Sequence, residues 1–196
     1  MTQHSKPLYP VPRRAATVGM LLFLAALGML FGSSLVGYFV IRLLSPTSPD
    51  ARSLHLPQIL WLSTAVMIAS SWTISRALRA IRAERQSEFR RFLLFSFALA
   101  ITFVAIQAPA MAQMLREHLR LAESTGMRLY GLLFVLVLLH AMHVIGGVVM
   151  LGIIIHGARH GRYDHEHHSA VSNTAMYWHF LDVVWLVMFT SLWIIR

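Results

Sequence analysis

The chain has 196 residues, 57% of them hydrophobic and 13% charged, with a mean hydropathy of +0.61, too apolar for a soluble domain whose whole surface faces water. It carries 17 Lys and Arg against 8 Asp and Glu and no cysteine, which excludes disulfide frameworks, thiolate metal sites and cysteine nucleophiles. The basic excess does not point to nucleic acid, because the arginines sit between apolar blocks instead of forming a patch on one soluble face.

Cutting the sequence at its charged positions leaves five apolar runs, which predict membrane spans at about 15–41, 56–75, 92–115, 129–155 and 174–195. Each suffices to cross a hydrocarbon core, which takes about 20 residues at 1.5 Å each. The expected architecture is therefore an all-α membrane protein: a bundle of five transmembrane helices forming a single domain, 15–196, behind a loosely ordered cytoplasmic tail, 1–14. The first run is too long for a signal-peptide core and reads as a retained helix. With the N-terminus inside, 11 of the 17 Lys and Arg fall on the cytoplasmic side and 6 outside, so the bias predicts a cytoplasmic N-terminus and a periplasmic C-terminus.

In chain order, helix 1 holds Gly28 and Gly32, a four-residue spacing that predicts close helix packing. Tyr38 and Arg42 at its outer end, and Trp61 near the start of helix 2, are placed as interfacial anchors. Ser70 and Ser71 of helix 2 can bond back to their own helix or across to a neighbour, and bonding to their own helix is the favoured expectation. Arg76 to Arg91 form a basic hairpin whose expected roles are orientation and contact with lipid headgroups. In helix 3, Pro109 follows Gln107 and predicts a kink.

Helix 4 carries His140 and His143, three apart and so on one face. Helix 5 carries Tyr177-Trp178-His179-Phe180-Leu181-Asp182-Val183-Val184-Trp185, a histidine and a carboxylate inside an apolar segment. Hydrocarbon disfavours such groups by roughly 2.5 to 3.5 kcal/mol, which makes them functional-site candidates. His143 lies roughly 21 Å from the outer end of helix 4 and Asp182 roughly 12 Å from the inner end of helix 5. In a core about 30 Å thick the two levels overlap, so His140 and His143 are expected to meet His179 and Asp182. The favoured reading is a satisfied interhelical network that sets packing and partner docking; axial haem ligation and a proton relay are the alternatives. The His-rich loop 157–169, with Arg159, His160, Asp164, His165, Glu166, His167 and His168, reads as a solvated, pH-responsive segment, with a divalent metal site as its alternative.

The run 177–185 resembles the last-helix signature of subunit III of the haem-copper terminal oxidases, the cytochrome c oxidase subunit III family. His140-Ala-Met-His143-Val-Ile-Gly146-Gly147 is similar to that family's preceding helix. Leu22-Phe-Leu with Phe31, Tyr38 and Arg42 resembles its acidic-residue helix, and Thr64, Ser70, Ser71 and Gln107 fall where intervening helices carry matching residues. The resemblance implies a five-helix form of an accessory, non-redox subunit in the bacterial-type inner membrane. Such a subunit binds no haem or copper itself, those being in partner subunits. It packs against catalytic subunit I and the other subunits of the oxidase, holds phospholipid, and supports sustained turnover and proton uptake in aerobic respiratory electron transport. Its candidate contact residues here are His140, His143, Tyr177, Trp178, His179, Asp182 and Trp185, with none catalytic and none metal-binding. The chain departs from the family pattern at Leu27 and Ala110, where acids are usual, and at Ser63, where asparagine is usual. A subunit III-like component of a nitric oxide reductase and a free-standing transporter using His140, His143, His179 and Asp182 are the competing readings.

Overall fold

The computed structural model describes residues 13–44, 59–121, 127–164 and 168–194. The tail 1–12, the proline-bearing stretch with Pro46, Pro49 and Pro57, and His165 to His167 lie outside the described residues. Five helices account for almost all of the rest: α1 (Arg13–Leu44), α2 (Ile59–Arg82), α3 (Gln86–Leu121), α4 (Met127–Arg159) and α5 (Ser169–Ile194). Helix is what apolar surroundings demand, because each backbone N–H and C=O must find its partner inside the segment when no water is at hand.

α1, α3 and α4 contain stretches long and apolar enough to cross a membrane, Ala15–Ile41, Gln86–Gln113 and Phe134–Arg159. α2 and α5 have 24 and 26 residues, about 36 and 39 Å at 1.5 Å per residue. Large apolar side chains such as Leu22, Met29, Leu62, Phe95 and Ile153 are exposed on the outside of the bundle, a distribution suited to lipid and not to water. The helices overrun the spans read from charge: α2 continues to Arg82, and α3 starts at Gln86 and runs on through Pro109 to Leu121. Arginine, glutamate and glutamine are good helix formers, so the helix does not stop where the apolar run stops.

Two helix ends on one side of the bundle close in the same way. At the end of α2, the Arg85 N–H donates to the Ala80 carbonyl and the Glu84 N–H to that of Ile81, around Glu84 at φ 61°. At the end of α4, the Arg162 N–H donates to the Gly157 carbonyl and the Gly161 N–H to that of Ala158, around Gly161 at φ 65°. Both are left-handed caps that satisfy the last carbonyls of the helix. Gln86 Nε2 then donates to the Tyr163 carbonyl at 3.0 Å, tying the α2–α3 turn to the α4–α5 loop.

α2, α3, α4 and α5 form a ring in which each packs on the next, and α1 lies outside it against α4 and α5 alone. The centre is filled across the diagonal by Phe103 of α3 and Trp185 of α5, edge to face at 5.5 Å. Tyr38, expected as an interfacial anchor, is instead a core residue with 2% of its surface exposed. Trp61 is half exposed and packs edge to face on Phe189 and Trp193 at 5.0 and 5.2 Å, an aromatic group at the end of the bundle opposite the caps.

Candidate functional site at the α4–α5 seam

Successive residues of a helix point about 100° apart, so Tyr177, Trp178 and His179 address different neighbours. The Tyr177 hydroxyl donates to the His143 carbonyl at 2.9 Å, and its ring stacks on Phe23 of α1 at 6.1 Å. Trp178 is buried against Gly147, where an added Cβ would lie 2.9 Å from Cζ3 and 3.0 Å from Cε3 of the indole. Only a residue without a side chain admits the ring so close to the α4 backbone.

His179 turns to α2. Its Nδ1 is 2.7 Å from Ser71 Oγ and its Nε2 is 3.0 Å from Ser75 Oγ. Ser71 and Ser75 are four apart, one above the other on a single helix face, and together they engage both ring nitrogens. The expectation that Ser70 and Ser71 bond to their own helix is thereby corrected: Ser70 Oγ reaches the Ser96 carbonyl of α3 at 3.4 Å, and Ser71 reaches α5. In a bundle without water, a hydroxyl facing another helix satisfies that helix's polar groups as well as its own.

Asp182 lies one turn after His179, with Oδ2 at 3.8 Å from His179 Nδ1. It is 6% exposed, and neither carboxyl oxygen makes a hydrogen bond. An unbonded buried carboxyl is costly, which sets Asp182 apart from the hydroxyls around it.

His140 occupies different surroundings. It is 1% exposed, lies nearly parallel to the Trp185 ring at 5.3 Å and meets Phe31 edge-on at 6.2 Å, and neither ring nitrogen has a hydrogen-bond partner. His143 bonds through Nδ1 with its own helix, at the Leu139 carbonyl 2.7 Å away, and its ring meets Phe31 at 5.6 Å. The single network expected of His140, His143, His179 and Asp182 is therefore corrected to two groups. Depth brought the four to a common level, but α4 presents its histidines to α1 and Trp185, whereas α5 presents His179 to α2. Trp185 links the sides: its Nε1–H donates to Thr64 Oγ1 of α2 at 3.1 Å while its face covers His140.

Axial haem ligation finds no free position at His179, both of whose nitrogens are engaged by serines, or at His140, which is enclosed by two aromatic rings. Among the described residues no group of three or more His, Asp or Glu is arranged to hold a metal ion.

The expected close approach at Gly28 and Gly32 is also corrected. A Cβ on Gly28 would sit 3.8 Å from the Phe180 ring, ordinary contact, and one on Gly32 would meet nothing within 4 Å. The tight glycines are Gly147, against Trp178, and Gly157, where an added Cβ would lie 2.7 Å from the Tyr163 ring; spacing alone does not distinguish them, since closeness depends on what the neighbouring segment brings. Ser75 was likewise not singled out; its i, i+4 relation to Ser71 was the available signal.

Comparison with known proteins bears on the whole of this bundle. Cytochrome c oxidase subunit 3 of Thermostichus vulcanus is 28% identical over 183 residues, covering 91% of this chain and 86% of its own length. The protein of the same name from Synechocystis sp. is 27% identical, covering 90% of this chain and 74% of its own. A probable cytochrome c oxidase subunit 3 from Nocardia farcinica is 26% identical over 92% of this chain and 88% of its own. The family described as cytochrome c oxidase subunit III matches residues 11–195. Because that match takes in all five helices together with the α4–α5 seam, the chain belongs to the cytochrome c oxidase subunit III family.

Proposed function

We propose that the chain is the accessory, non-redox subunit III of a haem-copper terminal oxidase, docked on catalytic subunit I in a bacterial-type inner membrane. The observation that carries this reading is the family match over residues 11–195. Haem and copper belong to partner subunits, in keeping with histidines whose ring atoms are taken up by packing and serine contacts. The seam residues His140, His143, Tyr177, Trp178, His179, Asp182 and Trp185 act as an assembly feature, holding α5 against α2 and α4 in the shape the neighbour recognises. The chain is one five-helix domain, 15–196, with its N-terminus cytoplasmic and its C-terminus periplasmic; the excess of Lys and Arg on the inner side, 11 of 17, supports that orientation. Its contribution is to stabilise the catalytic subunit and support proton uptake there, and phospholipid is retained on its apolar surface.

Purification through a tag on this chain in mild detergent tests the reading. A haem-copper catalytic subunit should accompany it, visible by mass spectrometry and by its absorption spectrum. A stable assembly without haem proteins, or one built on a nitric oxide reductase, overturns it.

A further inference from the structure

We propose that His156 and His160, at the end of α4, form a two-histidine chelate for an exchangeable first-row transition cation of the Zn2+ kind. The inference goes beyond the accessory-subunit reading and does not depend on it. His156 lies in the last turn of α4 and His160 directly follows that helix; both are exposed. Residues four apart stand one above the other on a helix face, and the two imidazole rings lie with their centres 4.5 Å apart, tilted by 43°. Two histidines at this spacing can grip one ion from a single face.

One ring is already set for coordination. His160 Nδ1 lies 2.8 Å from the His156 carbonyl, and a carbonyl only accepts, so Nδ1 carries the proton and Nε2 keeps its lone pair, the tautomer a metal ligand needs. Two nitrogens bound to one tetrahedral zinc at about 2.0 to 2.1 Å stand about 3.4 Å apart. Rings centred 4.5 Å apart on exposed side chains reach that separation by small rotations. The neighbouring charges decide which ion. Arg159 and Arg162 are exposed as well, so the local field repels cations and the imidazole lone pairs must do the holding. That selects Zn2+ over Mg2+ and Ca2+, which prefer oxygen ligands. Among the described residues no third His, Asp or Glu completes the set, so water fills the remaining positions and the ion exchanges. The chelate also braces the cap beyond it. The His160 and Gly161 N–H groups donate to the Gly157 and Ala158 carbonyls at 3.1 and 3.3 Å, and the Arg162 N–H donates to Gly157; an ion joining residues 156 and 160 closes the same turn from outside.

The test uses the full chain with whatever subunits accompany it, purified on a tag free of histidine and dialysed against Zn2+ with a large excess of Mg2+. Bound zinc is counted by elemental mass spectrometry. The unaltered protein should hold one Zn2+ per chain more than His156→Asn or His160→Asn, each of which should weaken binding by about tenfold or more, since even loss of an outer-shell partner costs about that much. Both replaced side chains are exposed, so the variants keep the fold. His165→Asn combined with His167→Asn, in the neighbouring loop, should leave uptake as it was. Amide hydrogen exchange locates the ion: with free zinc at about ten times the dissociation constant, exchange at Gly161 and Arg162 should slow by about tenfold in the unaltered protein and not in His156→Asn. Equal zinc uptake by the unaltered protein and both single variants, displacement of the zinc by Mg2+, an equal loss in the loop variant, or unchanged exchange at the cap overturns the site. The absorption spectrum of the same material reports the oxidase reading separately: zinc held at His156 and His160 without a haem partner would leave the site standing and remove that reading.

Discussion

The indole N–H of Trp185 donates to the hydroxyl of Thr64 at 3.1 Å, joining α5 to α2 at the centre of the bundle. The Thr64 hydroxyl in turn donates to the Leu60 carbonyl at 2.8 Å, so the contact closes a short chain of donors. Trp185→Phe keeps most of the ring and loses the bond, at a cost of about 1 kcal/mol. Trp185→Ala also opens a cavity beside Phe103 and His140 and should cost about 3 to 5 kcal/mol. Thermal unfolding of the purified assembly measures both, and equal effects of the two substitutions would refute this division of the tryptophan's role.

Gly147 and Gly32 form a matched pair for a second prediction. Gly147→Ala drives a methyl to 2.9 Å from the Trp178 ring, an overpacking cost of about 1 to 3 kcal/mol. Gly32→Ala meets nothing within 4 Å and should be neutral to stabilising by up to about 1 kcal/mol, through helix propensity. Melting temperatures should therefore move in opposite directions, or at least Gly147→Ala alone should lower one.

His140 offers the opposite of what a buried histidine usually suggests. Both of its nitrogens lack partners, so His140→Leu abandons no hydrogen bond and should change stability by less than about 1.5 kcal/mol. The measurement is yield and melting temperature of the assembled complex. Failure of His140→Leu to assemble would mean that the imidazole ring itself, packed between Trp185 and Phe31, is required.

The Ser71–His179–Ser75 contacts predict additive losses. Ser71→Ala and Ser75→Ala each remove one hydrogen bond from a half-buried His179, at about 0.5 to 1.5 kcal/mol apiece. The double substitution should release α5 from α2 enough to reduce recovery of the assembly from membranes. Normal recovery of the double variant would show that His179 finds other partners.

Asp182→Asn keeps the size of a side chain whose oxygens make no hydrogen bond and which lies 3.8 Å from His179. It should impair assembly or sustained turnover more than initial turnover, followed as oxygen consumption over time. An immediate loss of activity in a fully assembled complex would instead place Asp182 in the chemistry of the oxidase.

Sequence alone determined the helices and the special stretch. Five apolar runs become five helices because, without water, the backbone has no other way to satisfy itself. A histidine and an aspartate three apart in an apolar run mark α5 before any packing is known. Tertiary structure decided which neighbour each side chain meets. Depth placed His143 and Asp182 at one level, but rotation of each helix about its axis, fixed by how bulky rings such as Trp178 and Trp185 fit against Gly147 and Phe103, sent His179 to Ser71 and Ser75 and His140 to Trp185. A near-uniformly apolar helix such as α4 or α5 carries little sequence signal of its rotation. That angle is set by the volumes of the neighbours, and only the assembled bundle contains them.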